Sequence, residues 1–238
     1  DYIDDDEIPE IISFAPSSQY GFYGVTQGVV YNSITHQIMH TVNLPNRIST
    51  VDASPYVIIK LPNGHVIFVA VMRNQMMQAY DLTAMETTPM WSVSMEHISS
   101  NVGFADFNHD TYPEIYVGNK IFDAETGNLL IQDPSITNVG GAYTNPLYTS
   151  EPKTLSPFAS DVLGDSDVEL LLGNEIYDVN ITNRFGIQGN SISLAASITP
   201  PNGIGVDGHP QVADFNKDGY LDVFVSNKNR RSEERFSR

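Results

Sequence analysis

Three stretches of this sequence set oxygen-bearing side chains at alternate positions of a short acidic run. The fullest is Asp214-Phe-Asn216-Lys-Asp218-Gly219-Tyr220-Leu-Asp222. Side-chain oxygens at the first, third and fifth positions of a tight loop converge on one point. Glycine at the sixth permits the sharp turn, the backbone carbonyl of Tyr220 at the seventh can add a ligand, and Asp222 closes the far side. Hard oxygen donors in that number suit Ca2+ better than Mg2+, which demands stricter octahedral geometry. A second copy, Asp106-Phe-Asn108-His-Asp110-Thr-Tyr112-Pro-Glu114, keeps all four side-chain acceptors but carries Thr111 where the glycine belongs. In a third, Asp161-Val-Leu163-Gly-Asp165-Ser-Asp167-Val-Glu169, leucine stands at the third position. Its donors are then Asp161, Asp165 and Glu169, with Asp167 as a substitute, and a metal-free turn stays open there. For all three loops the plain alternative is an acidic turn closed by its own backbone hydrogen bonds.

The start of the pattern is shared with EF-hands, which place a bidentate Glu at position 12 between amphipathic helices. Position 12 counted from Asp214 is Val225, and the flanks Gln-Val-Ala and Val-Phe-Val-Ser have strand character. A β-hairpin loop is the reading that survives.

The elements that must hold these loops repeat with them. The lead aspartates Asp106, Asp161 and Asp214 are 55 and 53 positions apart, the spacing of four-stranded propeller blades. Each loop runs into a short apolar stretch (Glu114-Ile-Tyr-Val, Glu169-Leu-Leu-Leu, Asp222-Val-Phe-Val) of buried-strand length. Ile121 to Gly127 and Ile176 to Thr182 read as third strands entering turns. Tyr56 to Ala70 is a hairpin around Pro62-Asn63-Gly64, followed by strands near Ala79 and Trp91. Gly24 to Thr35 reads as the tail of a still earlier unit. Helical periodicity is scarce, and the stretches Asp133 to Pro157 and Asn183 to Pro210 read as long loops rich in Asn, Ser, Gly and Pro.

The loops with their lead-in and exit strands resemble the FG-GAP / VCBS repeat, the unit of integrin-α-type propellers. The likeness spans residues 50 to 227, with its specificity in the three loops. It implies an all-β fold, a partial β-propeller of about five blade-like units of four antiparallel strands, with calcium-binding hairpin loops. Carried over by position, Asp214, Asn216, Asp218, Tyr220 and Asp222 match the family's cage fully. Asp106, Asn108, Asp110, Tyr112 and Glu114 match it nearly, and Leu163 and Ser166 depart from it. The implied use is adhesion or recognition of a glycan or protein at an extracellular surface.

Composition agrees in kind. The 238 residues carry a formal net charge of −17 and no cysteine, which disfavours nucleic acid and anionic membranes and excludes disulfides and thiolate chemistry. No apolar run is long enough to span a bilayer, and the acidic opening is not a signal peptide. The domain reading is an acidic tail or linker over residues 1–18, blades over 19–227, and a basic tail over 228–238. Gly203-Ile-Gly205-Val-Asp-Gly208 lacks the strand and helix of a dinucleotide site. His36 and His40 read as surface histidines, and Trp91, Tyr112, Tyr116 and Tyr177 as inter-sheet packing. Asn180-Ile-Thr182 is a glycosylation sequon. The expectation is a non-enzymatic, calcium-holding binding module. The rivals are a polysaccharide-cleaving enzyme on the same scaffold and an architectural, self-associating surface repeat.

Overall fold

The computed structural model describes residues 9–16, 25–48, 56–72, 76–84, 88–95, 99–137, 154–197, 208–226 and 235–236. The acidic run of residues 1–7 and the glycine pattern beginning at Gly203 lie outside them. Every regular element among the described residues is a β-strand, and no helix there is long and apolar enough to cross a membrane. The chain divides into two compact units, Asp1–Ser99 with Glu125–Gly127, and Ser100–Ala124 with Asn128–Arg238.

In the first unit, β1 (Glu10–Pro16), β2 (Val25–Asn32) and β3 (Ile38–Ile48) form an antiparallel sheet in chain order. The strands β4 (Tyr56–Lys60), β5 (Val66–Val71), β6 (Met76–Asp81) and β7 (Trp91–Ser94) form a four-stranded meander. The β4–β5 turn is the expected one, with Gly64 at φ 90°, a conformation that side chains resist. Strand β8 (Ser99–Ser100) follows.

In the second unit the same meander recurs. One sheet comprises β9 (Gly103–Ala105), β10 (Glu114–Val117), β11 (Lys120–Asp123) and β12 (Leu129–Gln132). A short β13 (Thr154–Leu155) precedes the next sheet. Another four-stranded sheet comprises β14 (Phe158–Ser160), β15 (Glu169–Leu172), β16 (Glu175–Asn180) and β17 (Ser191–Ser197). A three-stranded sheet comprises β18 (His209–Ala213), β19 (Asp222–Ser226) and β20 (Arg235–Phe236). The expected five units are thus three meanders of four strands and two sheets of three. Even the irregularities repeat, because the third and fourth strands slip register at Ile121/Phe122 in one sheet and at Ile176/Tyr177 in the next.

Second strands read as unbroken apolar runs because they are covered on both faces. Alternate side chains of a strand point to opposite sides. On β15, Leu170 and Leu172 pack with Tyr116, Ile121 and Leu130 of the preceding sheet. Leu171 packs with Val223 and Val225 of the following one. In the first unit, Val66, Phe68 and Ala70 share the β5 face that meets Val30 and Val42.

Three expectations are corrected. Residues 10–16, assigned to an N-terminal tail, are β1, and Arg235–Phe236, assigned to a basic tail, pair with β19 as β20. Ser191–Ser197, inside an expected loop, is the fourth strand β17. Its outward, mostly exposed residues need no apolar pattern, because backbone pairing along β16 holds it.

Truncating Phe68, which is buried between Tyr80 and Tyr56, leaves a cavity in the first unit. Phe68→Ala is expected to cost about 3–5 kcal/mol, read as a lowered urea midpoint with the slope unchanged.

Candidate metal centres

All three acidic loops lie in the second unit and occupy the same corner, between the first and second strands of their sheets. The first and third loops are built alike, bond for bond. The fifth residue's N–H donates to the first residue's Oδ1, Asp110 to Asp106 and Asp218 to Asp214, at 3.1 Å in both. It also donates to Asn Oδ1 at the third position, at 3.2 and 2.8 Å. The sixth residue's N–H donates to the first residue's Oδ2, at 2.9 and 3.0 Å. The seventh donates to the fifth residue's Oδ1, at 2.8 and 2.9 Å. The asparagine Nδ2 donates to the fifth residue's Oδ2. Positive φ recurs at the fourth and sixth positions: His109 and Thr111 at 58° and 74°, Lys217 and Gly219 at 63° and 91°. Four residues of mixed type thus adopt one conformation because the first carboxylate collects the N–H groups that the turn leaves unpaired.

The ninth position is the other anchor. Glu114, Glu169 and Asp222 open the second strands and are 0%, 1% and 1% exposed. Each accepts an N–H from the loop's second residue: Phe107 at 2.9 Å, Val162 at 2.8 Å and Phe215 at 3.0 Å. Glu169 also takes the Leu163 N–H at 3.1 Å. Burial pushes the Glu114 carboxyl up to about 8; the Phe107 N–H opposes the rise and the nearby charges of Asp110, Asp106 and Asp123 add to it. Burial raises Glu169 as well, against the pull of the Val162 and Leu163 N–H groups and with Asp165 and Asp161 adding to it.

The middle loop is built differently. Leu163, at the position where an oxygen was wanted, packs beside Val162, Leu171 and Val223; it is an apolar anchor. The loop nevertheless keeps the shared turn, with Gly164 and Ser166 at φ 68° and 81°. Asp161 Oδ1 accepts from Gly164 N at 2.6 Å and Oδ2 from Ser166 N at 3.2 Å. Oxygens of Asp161, Asp165 and Glu169 lie within 4.8 Å of one another, the one such acidic or histidine trio among the described residues. Asp167 does not join them and faces His109 of the first loop at 3.6 Å.

The donors fit a hard cation. Carboxylate oxygens have two acceptor sites each, so an oxygen that takes an N–H still has a lone pair to offer. In the first loop the fit has a sharper sign, because Glu114 Oε1 is buried without a hydrogen-bond partner. A buried acceptor in that condition is costly, and a cation held by Asp106, Asn108, Asp110, the Tyr112 carbonyl and Glu114 would satisfy it.

Two features escaped sequence reading. The third strands carry an aromatic-Asp pair, Tyr80-Asp81, Phe122-Asp123 and Tyr177-Asp178, at the strand end in the first two and mid-strand in the third, a repeat that was visible but unread. His65 meets Asp81 at 2.5 Å, and Arg184 meets Asp123 Oδ2 through Nη2 at 2.9 Å and Nε at 3.0 Å. The Arg184 guanidinium also lies 3.6 Å from the centre of the Tyr112 ring. Beside the loops, a cleft of about 470 Å3 is lined by Asn108, His109, Asp165, Asp167, Asp178 and Asn180, among others. Tyr116 and Tyr177 are core residues as expected. His36 is exposed in a turn, whereas His40 is half-buried with Nε2 unpartnered, its pKa lowered by burial.

No family model and no curated protein matches the chain. Among solved structures it is similar to the V. cholerae biofilm matrix protein Bap1, with TM-score 0.49 and 13% identity over 92% of this chain. It is also similar to the rhamnogalacturonan lyase YesW, with TM-score 0.48 and 14% identity over 84% of this chain. The chain spans 35% of the length of each.

Thr111 holds a left-handed conformation that is unfavourable for a β-branched residue, at the position Gly219 fills in the third loop. Thr111→Gly is expected to stabilise the fold by up to about 1 kcal/mol, read by chemical denaturation. In chelator, Glu114 is protonated in both folded and unfolded chains below about pH 4.5. Between there and about 8 the folded chain keeps a proton that the unfolded chain has lost. Stability therefore falls as pH rises through that window. Glu114→Gln should flatten the slope, and a divalent cation should flatten it in the parent protein.

Proposed function

We propose that this chain is a calcium-stabilised, non-catalytic binding or scaffold module of an extracellular surface, built as propeller-type blades of the FG-GAP / VCBS kind. The observation that carries the reading is the bond-for-bond identity of the 106–114 and 214–222 loops, joined to the buried unpartnered oxygen of Glu114. Two loops that differ in sequence at four of nine positions share one backbone course and one set of oxygen donors. A common ligand for those oxygens explains why the course is kept. Bound at the corner between two strands, Ca2+ would draw the carboxylates of loop and strand onto one centre and rigidify the hairpin.

Recognition in this reading falls to the cleft between the first and second loops. Its amides, imidazole and carboxylates offer both donors and acceptors to the hydroxyl groups of a glycan or the polar edge of a protein. The acids are accounted for by the loops, so no carboxylate pair needs a role in bond cleavage. The two similar solved structures, a matrix protein and a lyase, do not decide between binding and catalysis.

Extracellular calcium modules bind at roughly 10⁻⁴–10⁻³ M, so millimolar Ca2+ should raise the melting temperature by a few degrees per site and chelator should reverse it. Asp218→Asn should remove the third loop's share of that rise. Affinity electrophoresis through gels containing soluble polysaccharide should show retardation in Ca2+ and none in chelator. Melting curves that coincide with and without Ca2+ count against the ion, and new reducing ends in the gel substrate count against a non-catalytic role.

A further inference from the structure

Resting on the ion-loop reading above, we propose that Arg184 is a positioning residue for the first loop, locking its asparagine and tyrosine ligands to the segment that follows β16. The segment from Ile181 to Asn190 is folded on itself by one side chain. Asn190 Nδ2 donates to the carbonyls of Asn183, Gly186 and Leu130, at 2.8, 3.0 and 3.2 Å, and its Oδ1 accepts from Thr182 N and Asn183 N at 2.9 Å each. Arg184 projects from this braced turn. Its guanidinium is anchored twice on Asp123 Oδ2, a carboxylate with 0% exposure at the end of β11. Its flat face covers the Tyr112 ring at 3.6 Å. A planar fork pre-organised by a buried carboxylate holds an aromatic ring far better than a mobile ammonium does.

Tyr112 is the loop's seventh residue, whose carbonyl is a candidate ligand, and Asn108 at the third position also reaches the segment, donating to the Ile181 carbonyl at 3.4 Å. Two of the five candidate ligand residues are therefore held from outside the loop, by a turn that lies about seventy residues further along the chain. The third loop has the same internal bonds but, among the described residues, no such outside contact at Tyr220, which is exposed. The same loop chemistry is thus braced in one copy and unbraced in the other. The turn's apolar tip, Phe185 and Ile187, stays 73% and 52% exposed, so these two side chains do not anchor it.

The test is tyrosine-sensitised Tb3+ luminescence. In a Tyr220→Phe background the first loop is read through Tyr112, and the third loop is the difference from the protein that keeps Tyr220. Two variants separate position from charge: Arg184→Lys keeps the charge without the planar fork, and Arg184→Met with Asp123→Asn removes the ion pair without altering the net charge. Outer residues that orient ligands typically contribute roughly 10- to 100-fold to metal affinity. Both variants should weaken the first loop by about that factor and leave the third unchanged, which also reports that the unit remains folded. A first loop of parental affinity in either variant, or equal weakening of both loops, overturns the proposal. A parent protein that gives no sensitised Tb3+ signal overturns the ion-loop reading itself, and this role with it.

Discussion

The second unit is organised around carboxylates that open the second strands of its sheets and have almost no contact with water. Glu114, Glu169 and Asp222 each anchor the preceding loop through the N–H of its second residue. Burying an anionic group is unfavourable unless hydrogen bonds and opposite charge compensate it. The nine-residue acidic turn supplies the first of these, and its clustered oxygens call for the second. Loop conformation and strand start are thus facets of one requirement.

The first unit meets the corresponding problem without an acidic loop. Its β4–β5 connection is a short turn, and the residue opening β5 is the apolar Val66. The one buried acid at the end of its third strand, Asp81, is met by His65 and by the N–H groups of Thr83 and Ala84. Where the turn is short, an imidazole and two backbone N–H groups suffice. Where it is long and acidic, the compensating charge must come from elsewhere: Arg184 answers Asp123, while Glu114 keeps an oxygen unmet.

Packing explains why the scaffold tolerates such different corners. The second strand β15 is covered on both faces, by contacts of Leu170 and Leu172 on one side and of Leu171 on the other. Sheets stacked in this way draw their stability from central strands, so corner loops vary at little cost to the core. Leu163 illustrates the freedom: it exchanges an oxygen donor for apolar contact and leaves the turn intact.

The sequence by itself determined the all-β class, the repeat of four-stranded units near fifty residues, the three loop corners and the turn at Gly64. These are local, because short apolar runs, glycine at positive φ and clustered acids are written within a few residues of one another. The edge strands β1, β17 and β20 were not legible: β1 follows an acidic run that reads as a tail, while backbone pairing holds β17 and β20 with little apolar pattern. Nor could the sequence disclose that Leu163 packs inward while Asp161, Asp165 and Glu169 converge, or that Arg184 lies over Tyr112. Those contacts join residues brought together only when neighbouring sheets stack, and the direction a side chain takes depends on which face its neighbours cover. Tertiary structure decided them for that reason.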